Sequence, residues 1–139
     1  MMTVNEFSRR SDVAAHVVRY YTRIGLLEPA RDPENGYKLF SRADATRLQF
    51  IRNAQRLGYS LEEIRGFLAL SGKGKSVCRE VRAILQRRLI ENQAKLEEMT
   101  ALQQRMERAL ELWETLPDGK PDDTRVCHLI EGAATAMNA

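Results

Sequence analysis

The sequence predicts a mainly α-helical fold, with one small β hairpin near the N-terminus and one long helix in the C-terminal half. Over residues 1–71, short stretches with an apolar residue at every third or fourth position alternate with turn residues. An Asn-Gly pair at residues 35–36 interrupts this helical pattern and indicates a hairpin. Residues 76–116 contain no Pro or Gly, which favours a single long helix.

Two short helices with a tight turn between them open the chain. Thr3 is a good N-cap for a first helix over residues 4–8, and a break follows at residues 11–12. A second helix ends at Gly25, and its apolar stripe consists of Val13, Val17, Val18 and Tyr21. Two helices separated by so few residues are typical of a helix-turn-helix, whose second helix reads DNA.

A hairpin follows the second helix and indicates a wing. Pro33 fixes φ, and Asn35-Gly36 tolerates the positive φ of a tight turn. Residues 37–40 are predicted as the returning strand. Two further helices are capped by Ser41 and Ser60, each followed three residues later by an acidic residue; the second ends before a loop at residues 71–75. Residues 1–71 are therefore predicted to form a winged helix-turn-helix head.

The long helix over residues 76–116 carries an apolar seam that needs a partner. When two polar residues are included in the seam, the spacing between successive seam residues alternates between three and four, which is the a/d pattern of a coiled coil. The seam consists of Leu85, Leu89, Asn92, Leu96, Met99, Gln103, Met106, Leu110 and Trp113. At 1.5 Å per residue the helix is roughly 60 Å long, too long to bury its stripe against the head. A second copy of the chain is the expected partner, and the polar seam residues favour one defined dimer.

Charge and composition fit a DNA-binding protein. Residues 1–57 hold ten Lys or Arg and six Asp or Glu, a surplus that suits a polyanion. No apolar run approaches the roughly 18 residues of a membrane helix, so we expect a cytoplasmic protein without a membrane partner. We expect no enzyme, because the sequence shows no Ser-His-Asp set, no Gly-rich phosphate loop and no close carboxylate pair.

Four features in order give the chain a family resemblance. RYYTRIGLL, NGYKLF, LGYSLEEIR and the long helix make it resemble the MerR family of bacterial transcription regulators over essentially its whole length. The resemblance implies a homodimer that sets two winged heads on a palindromic promoter and works with bacterial RNA polymerase. It also implies that an effector, bound at the far end of the long helix, distorts the DNA.

The expected DNA-binding residues are Arg19, Tyr20, Tyr37, Lys38, Asn35, Gly36 and His16. Arg19 can clamp a phosphate or a guanine edge, and Tyr20 offers a flat ring and a hydroxyl to the backbone. The family most often has Arg in place of Lys38; because Lys lacks the planar fork, we expect a phosphate contact there. The alternative is that Arg19 is a solvated charge and that Tyr20, Tyr21 and Tyr37 are aromatics at the edge of the core.

Two cysteines lie far apart and belong to no CxxC pair. Cys78 is near the start of the long helix and Cys127 lies beyond its end. In an antiparallel dimer the start of one long helix lies beside the end of the other, so Cys78 of one protomer and Cys127 of the other can share a site. Thiolates bind soft metals, and a helix N-terminus favours an anion. Resemblance adds that regulators of mercury, cadmium, zinc and lead carry cysteines at both positions.

The chain departs from those metal regulators at one position. They have a further cysteine at the end of the long helix, where this chain has Trp113, and the following loop is longer here. Two thiolates suit a linear or trigonal soft ion, whereas tetrahedral zinc takes four N or S ligands. His128 is the expected third ligand, ahead of Asp122, Asp123 or Glu114. Adjacent helical residues point about 100° apart, so Cys127 and His128 can share a metal only at an irregular helix start.

Three alternatives stay open at this point. Cys78 and Cys127 can instead form a thiol or redox sensor, which needs no third ligand. Trp113 can line a pocket for an organic effector, or the coiled coil can make the chain an interaction module without a DNA function. The main prediction is a winged helix-turn-helix head at 1–71, an antiparallel coiled-coil dimerisation helix at 76–116, and an effector loop with a short helix at 117–139.

Overall fold

The computed structural model describes residues 1–137 and is mainly helical, so the predicted fold class is confirmed. The elements are α1 (Val4–Ser11), α2 (Ala15–Arg23), β1 (Ala30–Arg31), β2 (Lys38–Leu39), α3 (Arg42–Arg56), α4 (Leu61–Gly72), α5 (Cys78–Trp113) and α6 (His128–Met137). Residues 138–139 of the predicted last segment lie outside the described residues. The chain divides into two compact units, residues 1–78 and a second unit that begins at Arg79.

The first unit, which we call the head, is built on apolar side chains from α1 to α4 and from the wing. The rings of Phe7 and Phe40 stack with their centroids 4.6 Å apart. The largest fully buried side chains are Phe7, Phe40, Leu26, Leu27, Leu48, Ile51, Ile64 and Val18. Phe40 also exchanges backbone hydrogen bonds with Met2, at 2.8 and 2.7 Å. The base of the wing is therefore fixed to the N-terminus of the chain.

Capping boxes start three of the head helices. The predicted boxes at Ser41 and Ser60 are present, and Thr3 forms a further one with Glu6 at the start of α1. Hydrogen bonds from Thr3 hold the pKa of the Glu6 carboxyl below its usual value. Asp12, with a φ of 54°, ends α1 and begins the tight turn to α2. These caps satisfy backbone N–H groups that the helices leave without partners.

Several predicted boundaries are wrong by a few residues. The first helix continues to Ser11, α2 ends at Arg23 instead of Gly25, and α4 continues through Gly72. The long helix spans 78–113 instead of 76–116, and the last helix starts one residue after Cys127.

The returning strand of the wing is also shorter than predicted. It begins at Lys38 because the backbone N–H of Tyr37 is bound by the Asn35 side chain, 3.0 Å away, inside the loop. β1 and β2 pair antiparallel, with Ala30 opposite Leu39 and Arg31 opposite Lys38.

The second unit consists of most of α5, a loop and α6, which packs on the C-terminal turns of α5. The indole Nε1 of Trp113 donates to the carbonyl oxygen of Leu129 at 3.0 Å. Ala133 on α6 is buried, whereas α5 contains no buried residue over its 36 residues. None of the helices in the described part of the chain has the length and hydrophobicity of a membrane-spanning segment.

Candidate nucleic-acid interface and metal site

Helix α2 presents one exposed face beside a buried one. Val18 and Tyr21 are buried, and the Tyr21 hydroxyl donates to Oε1 of Gln55 at 2.5 Å, so Tyr21 is a core residue. The opposite face carries His16, Arg19, Tyr20 and Arg23, all exposed and spaced at three or four residues. The Arg23 guanidinium lies 5.3 Å from the centre of the Tyr20 ring. This face is available to enter a DNA groove.

A groove of about 520 Å³ lies between α2, the wing and the N-terminus of α1. Four of the predicted DNA-binding residues line it together: Arg19, Gly36, Tyr37 and Lys38. No acidic side chain lines it, and the Tyr37 ring is 66% exposed. Two cations and a phenol hydroxyl at one groove fit the phosphate backbone of a nucleic acid. The structure leaves His16, Tyr20 and Asn35 outside this groove.

Thr3, Asn5 and Thr22 also line the groove, and sequence reasoning missed them. Thr22 follows Arg19 by three residues on α2, a helical spacing that places both on the same side and that was available in the sequence. Asn5 had no such signal, because its position depends on the contact between the N-terminus and the wing. Amide and hydroxyl side chains commonly contact phosphate and sugar.

The wing loop explains the roles of Asn35 and Gly36. Gly36 has a φ of +73°, and its N–H donates to the Asp32 carbonyl oxygen at 2.8 Å. Asn35 does not share the positive φ expected of it; its side chain instead accepts the N–H of Tyr37. Both residues therefore shape the loop that presents Tyr37 and Lys38.

The start of α6 is held by a carboxylate. Oε1 of Glu131 accepts the backbone N–H groups of Val126, at 2.7 Å, and Cys127, at 2.6 Å. The Cys127 carbonyl oxygen accepts the N–H of Glu131 at 3.1 Å, which makes Cys127 the residue that caps the helix. Cys127 is half-buried and its thiol is free. Because Cys127 precedes the regular helix, its side-chain direction is not tied to the 100° step from His128.

His128 links α6 to the preceding loop. Its Nε2 lies 2.9 Å from the carbonyl oxygen of Pro117, so Nε2 carries the donated proton in this contact. Gly119 lies against the same ring, where an added Cβ would come within 2.5 Å of Cδ2. With Nε2 engaged, the other ring nitrogen, Nδ1, is the one left for a metal ligand in neutral His128.

Asp122, one of the weaker ligand candidates, already has a hydrogen-bond partner. Asp122 accepts the N–H and the hydroxyl of Thr124, both at 2.7 Å, and these bonds lower the pKa of the Asp122 carboxyl. Within residues 1–137, no three His, Cys, Asp or Glu side chains of one protomer come together as a metal site. Cys78 is exposed at the start of α5. A single protomer thus brings Cys127 and His128 to one helix start without a third ligand.

Comparison with known proteins gives the family. A sequence model described as MerR HTH family regulatory protein matches residues 2–71, and one described as MerR, DNA binding matches residues 45–109. The chain belongs to the MerR family. The resemblance seen in the sequence is confirmed, and as a member of this family the chain is a DNA-binding transcription regulator.

Several relatives cover most or nearly all of the chain. The regulator HmrR of Sinorhizobium medicae is 35% identical over 99% of this chain and 90% of its own. The heavy metal-dependent transcription regulator 2 of Rhizobium meliloti is 35% identical over 96% of this chain and 86% of its own. The regulator ZntR of Escherichia coli is 33% identical over 78% of this chain and 77% of its own.

Solved structures support the same MerR fold. The regulator PbrR691 of Ralstonia metallidurans in complex with lead(II) superposes with a TM-score of 0.73 at 24% identity, covering 95% of this chain and 98% of that one. The N-terminal part of MtaN, the Bacillus subtilis multidrug transporter activator, gives a TM-score of 0.64 at 28% identity, covering 79% of this chain and 98% of that one. At 24% identity, the likeness to PbrR691 shows a shared fold and nothing further.

Proposed function

We propose that this MerR-family chain is a metal-responsive regulator that acts as a homodimer on a palindromic promoter, in the bacterial cytoplasm and together with RNA polymerase. The proposed effector is a soft divalent ion such as zinc, cadmium, lead or mercury. The observation that carries the proposal is the start of α6, where a free thiol and an imidazole with a fixed ring orientation stand on consecutive residues. Relatives described as heavy metal-dependent regulators support it.

DNA binding is assigned to the head. The exposed face of α2 would enter the major groove, while Arg19 and Lys38 would grip the phosphates beside it. The wing adds the exposed Tyr37 ring at the rim of the same groove. Two heads on one dimer would match a palindromic site, since a twofold protein binds two half-sites related by the same symmetry.

The homodimer is supported by the exposure of α5. At 1.5 Å per residue the helix is about 54 Å long, and none of its side chains is buried. Residues 78–95 contain five Lys or Arg and two Glu, whereas residues 96–113 contain four Glu and two Arg. Antiparallel pairing of two copies sets the basic half of each helix beside the acidic half of the other, and parallel pairing sets like charges together. The charge pattern therefore favours an antiparallel dimer.

The proposed metal site is shared between protomers. Cys127, Nδ1 of His128 and the partner's Cys78 would supply two thiolates and one imidazole, a donor set that suits a soft ion in trigonal geometry. Such an ion would tie the loop and α6 of one protomer to the start of the partner's long helix. A small shift of the paired helices would then bias the two heads between two DNA geometries.

A thiol sensor is the second candidate, and one observation favours it. Within the described residues, a single protomer supplies no three-ligand metal set, whereas a disulfide needs only two thiols. Oxidation by peroxide would convert the two thiols and one peroxide molecule into one disulfide and two water molecules.

The test is an anaerobic titration of the reduced protein with zinc, cadmium, lead and mercury, following thiolate-to-metal absorbance. We expect one ion per site, with binding lost in Cys78→Ser and in Cys127→Ser. A mixed dimer of the two variants contains one intact site out of two when the site is shared. Free exchange of protomers makes about half of the dimers mixed, so equimolar mixing should restore about a quarter of the binding. No recovery on mixing would contradict a shared site, and oxidation of both thiols without metal binding would support the redox sensor.

A further inference from the structure

The seam of α5 contains two polar residues among apolar ones. Asn92 and Gln103 are exposed, as are the apolar seam residues that flank them. Leu89, Leu96, Met99, Met106 and Leu110 are 65%, 61%, 63%, 54% and 66% exposed. Such exposure of five large apolar side chains along one line is typical of a surface that a partner covers. The inference below rests on the proposed homodimer and concerns how its two helices align.

Antiparallel pairing allows a few discrete registers that differ by one heptad. In such a pair, an a residue of one helix faces a d residue of the other, and the seam steps place Leu89 and Leu96 at a and Asn92 and Met99 at d. One register sets Asn92 opposite the partner's Gln103. In that register the apolar layers are Leu96 with the partner's Met99, Leu89 with the partner's Met106, and Leu85 with the partner's Leu110.

In the two neighbouring registers, Asn92 and Gln103 each face an apolar residue of the partner. A shift by one heptad in one direction sets Asn92 against the partner's Leu96 and Gln103 against the partner's Leu85. A shift in the other direction sets them against the partner's Leu110 and the partner's Met99. A buried amide without a hydrogen-bond partner is costly, whereas two amides facing each other can bond. We propose that α5 pairs with a second copy in the antiparallel register that sets Asn92 against the partner's Gln103.

The acidic end of α5 offers a second reason for this register. Leu110 and Trp113 line an open groove of about 670 Å³, and its other lining residues are Glu107, Glu111 and Glu114. The proposed register brings the partner's Arg82 to the layer of Trp113. A guanidinium on the exposed side of an indole is a favourable cation–π arrangement, and three carboxylates around it add attraction.

The register also locates the shared site. The partner's Cys78 lies one seam layer beyond the partner's Arg82, and therefore just past Trp113, where α5 ends. The Pro117 carbonyl oxygen is the group that holds the His128 ring, at 2.9 Å. The register therefore sets the partner's Cys78 at the end of α5 where the loop that contacts the candidate imidazole ligand begins.

Disulfide cross-linking tests the register directly. In a background of Cys78→Ser and Cys127→Ser, the pair Leu89→Cys with Met106→Cys should yield a covalent dimer on a non-reducing gel. Within one chain these two positions are about 25 Å apart, so the bond must join two chains. The matched control, Leu89→Cys with Met99→Cys, should stay uncross-linked, because those positions meet only after a heptad shift. Leu89→Cys alone should also stay uncross-linked, since it meets itself only in a parallel dimer.

Analytical sedimentation distinguishes a failure of the proposed homodimer from a failure of the proposed register. A monomeric chain would overturn the proposed homodimer, whereas a dimer in which a control cross-links would overturn the register alone. A second measurement needs no cysteine: Asn92→Leu, Gln103→Leu and the double variant are compared by thermal unfolding. If the two amides face each other, each single variant leaves one buried amide without a partner, so the shift in Tm of the double variant should exceed the sum of the two single shifts. Equal and additive shifts would contradict the pairing.

Discussion

The groove between α2 and the wing leads to a quantitative prediction about salt. Each head presents two cationic side chains to it, Arg19 and Lys38, so a homodimer presents four. Each Lys or Arg that neutralises a phosphate releases counterions and adds about 0.9 to the slope of log affinity against log salt concentration. Lys38→Ala removes one contact per head, and the slope for the dimer should therefore become shallower by about 1.8.

The assay is the anisotropy of labelled promoter DNA at a series of salt concentrations. Lys75→Ala is the matched control, because Lys75 is an exposed cation of the head that does not line the groove. Arg19→Ala should change the slope as Lys38→Ala does and also lower promoter affinity by roughly 1 to 3 kcal/mol, since an arginine can read a guanine edge as well. A slope for Lys38→Ala equal to that of the unsubstituted protein would refute the phosphate contact.

Two further changes test contacts that hold the head and the effector loop. Phe40→Ala removes the ring stacked on Phe7 and should lower the free energy of unfolding of the head by about 3 to 5 kcal/mol, measured by denaturant titration; a loss below 1 kcal/mol would mean that the ring is not core. Gly119→Ala places a Cβ 2.5 Å from the His128 ring and should expose the loop to proteolysis, whereas Gly132→Ala, which meets no neighbour within 4 Å, should not. Equal cleavage rates would show that the loop does not depend on this contact.

Local features of the head were predictable because their causes lie within a few residues of sequence. The capping boxes at Ser41 and Ser60 need a hydroxyl and an acidic residue three positions later, and both are visible without a structure. The break at Asp12 likewise follows from a polar residue that tolerates the left-handed conformation. Helix ends were less certain, because the last turn depends on which backbone groups find partners.

Contacts between distant segments were not predictable in the same way. Asn5 lines the groove between α2 and the wing because Met2 pairs with Phe40, a contact between the N-terminus and the base of the wing. Glu131 forms no capping box that the sequence would reveal, yet its carboxylate accepts the backbone N–H of Cys127. The contact between His128 and Pro117 spans a loop whose length carries no periodic signal. In each case the partner is chosen by tertiary packing, which no local pattern encodes.

The division of the proposed site between two protomers has a thermodynamic consequence. Cys127 and His128 stand at the start of α6, and the proposed third donor is the partner's Cys78, so separated chains would bind the ion weakly. An ion that binds the dimer and not the separated chains stabilises the dimer by mass action, by about 2.7 kcal/mol per site when its free concentration is 100 times Kd. That free energy acts on the alignment of the two long helices, which connect the effector end to the heads. Because coupling between sites is reciprocal, a promoter that prefers the ion-bound alignment raises the affinity for the ion by the same factor. Trp113 would support this coupling without binding the ion. Its indole N–H donates to the carbonyl oxygen of Leu129, so it joins α5 to α6 directly, which a metal-binding cysteine at the same position would do only through the ion.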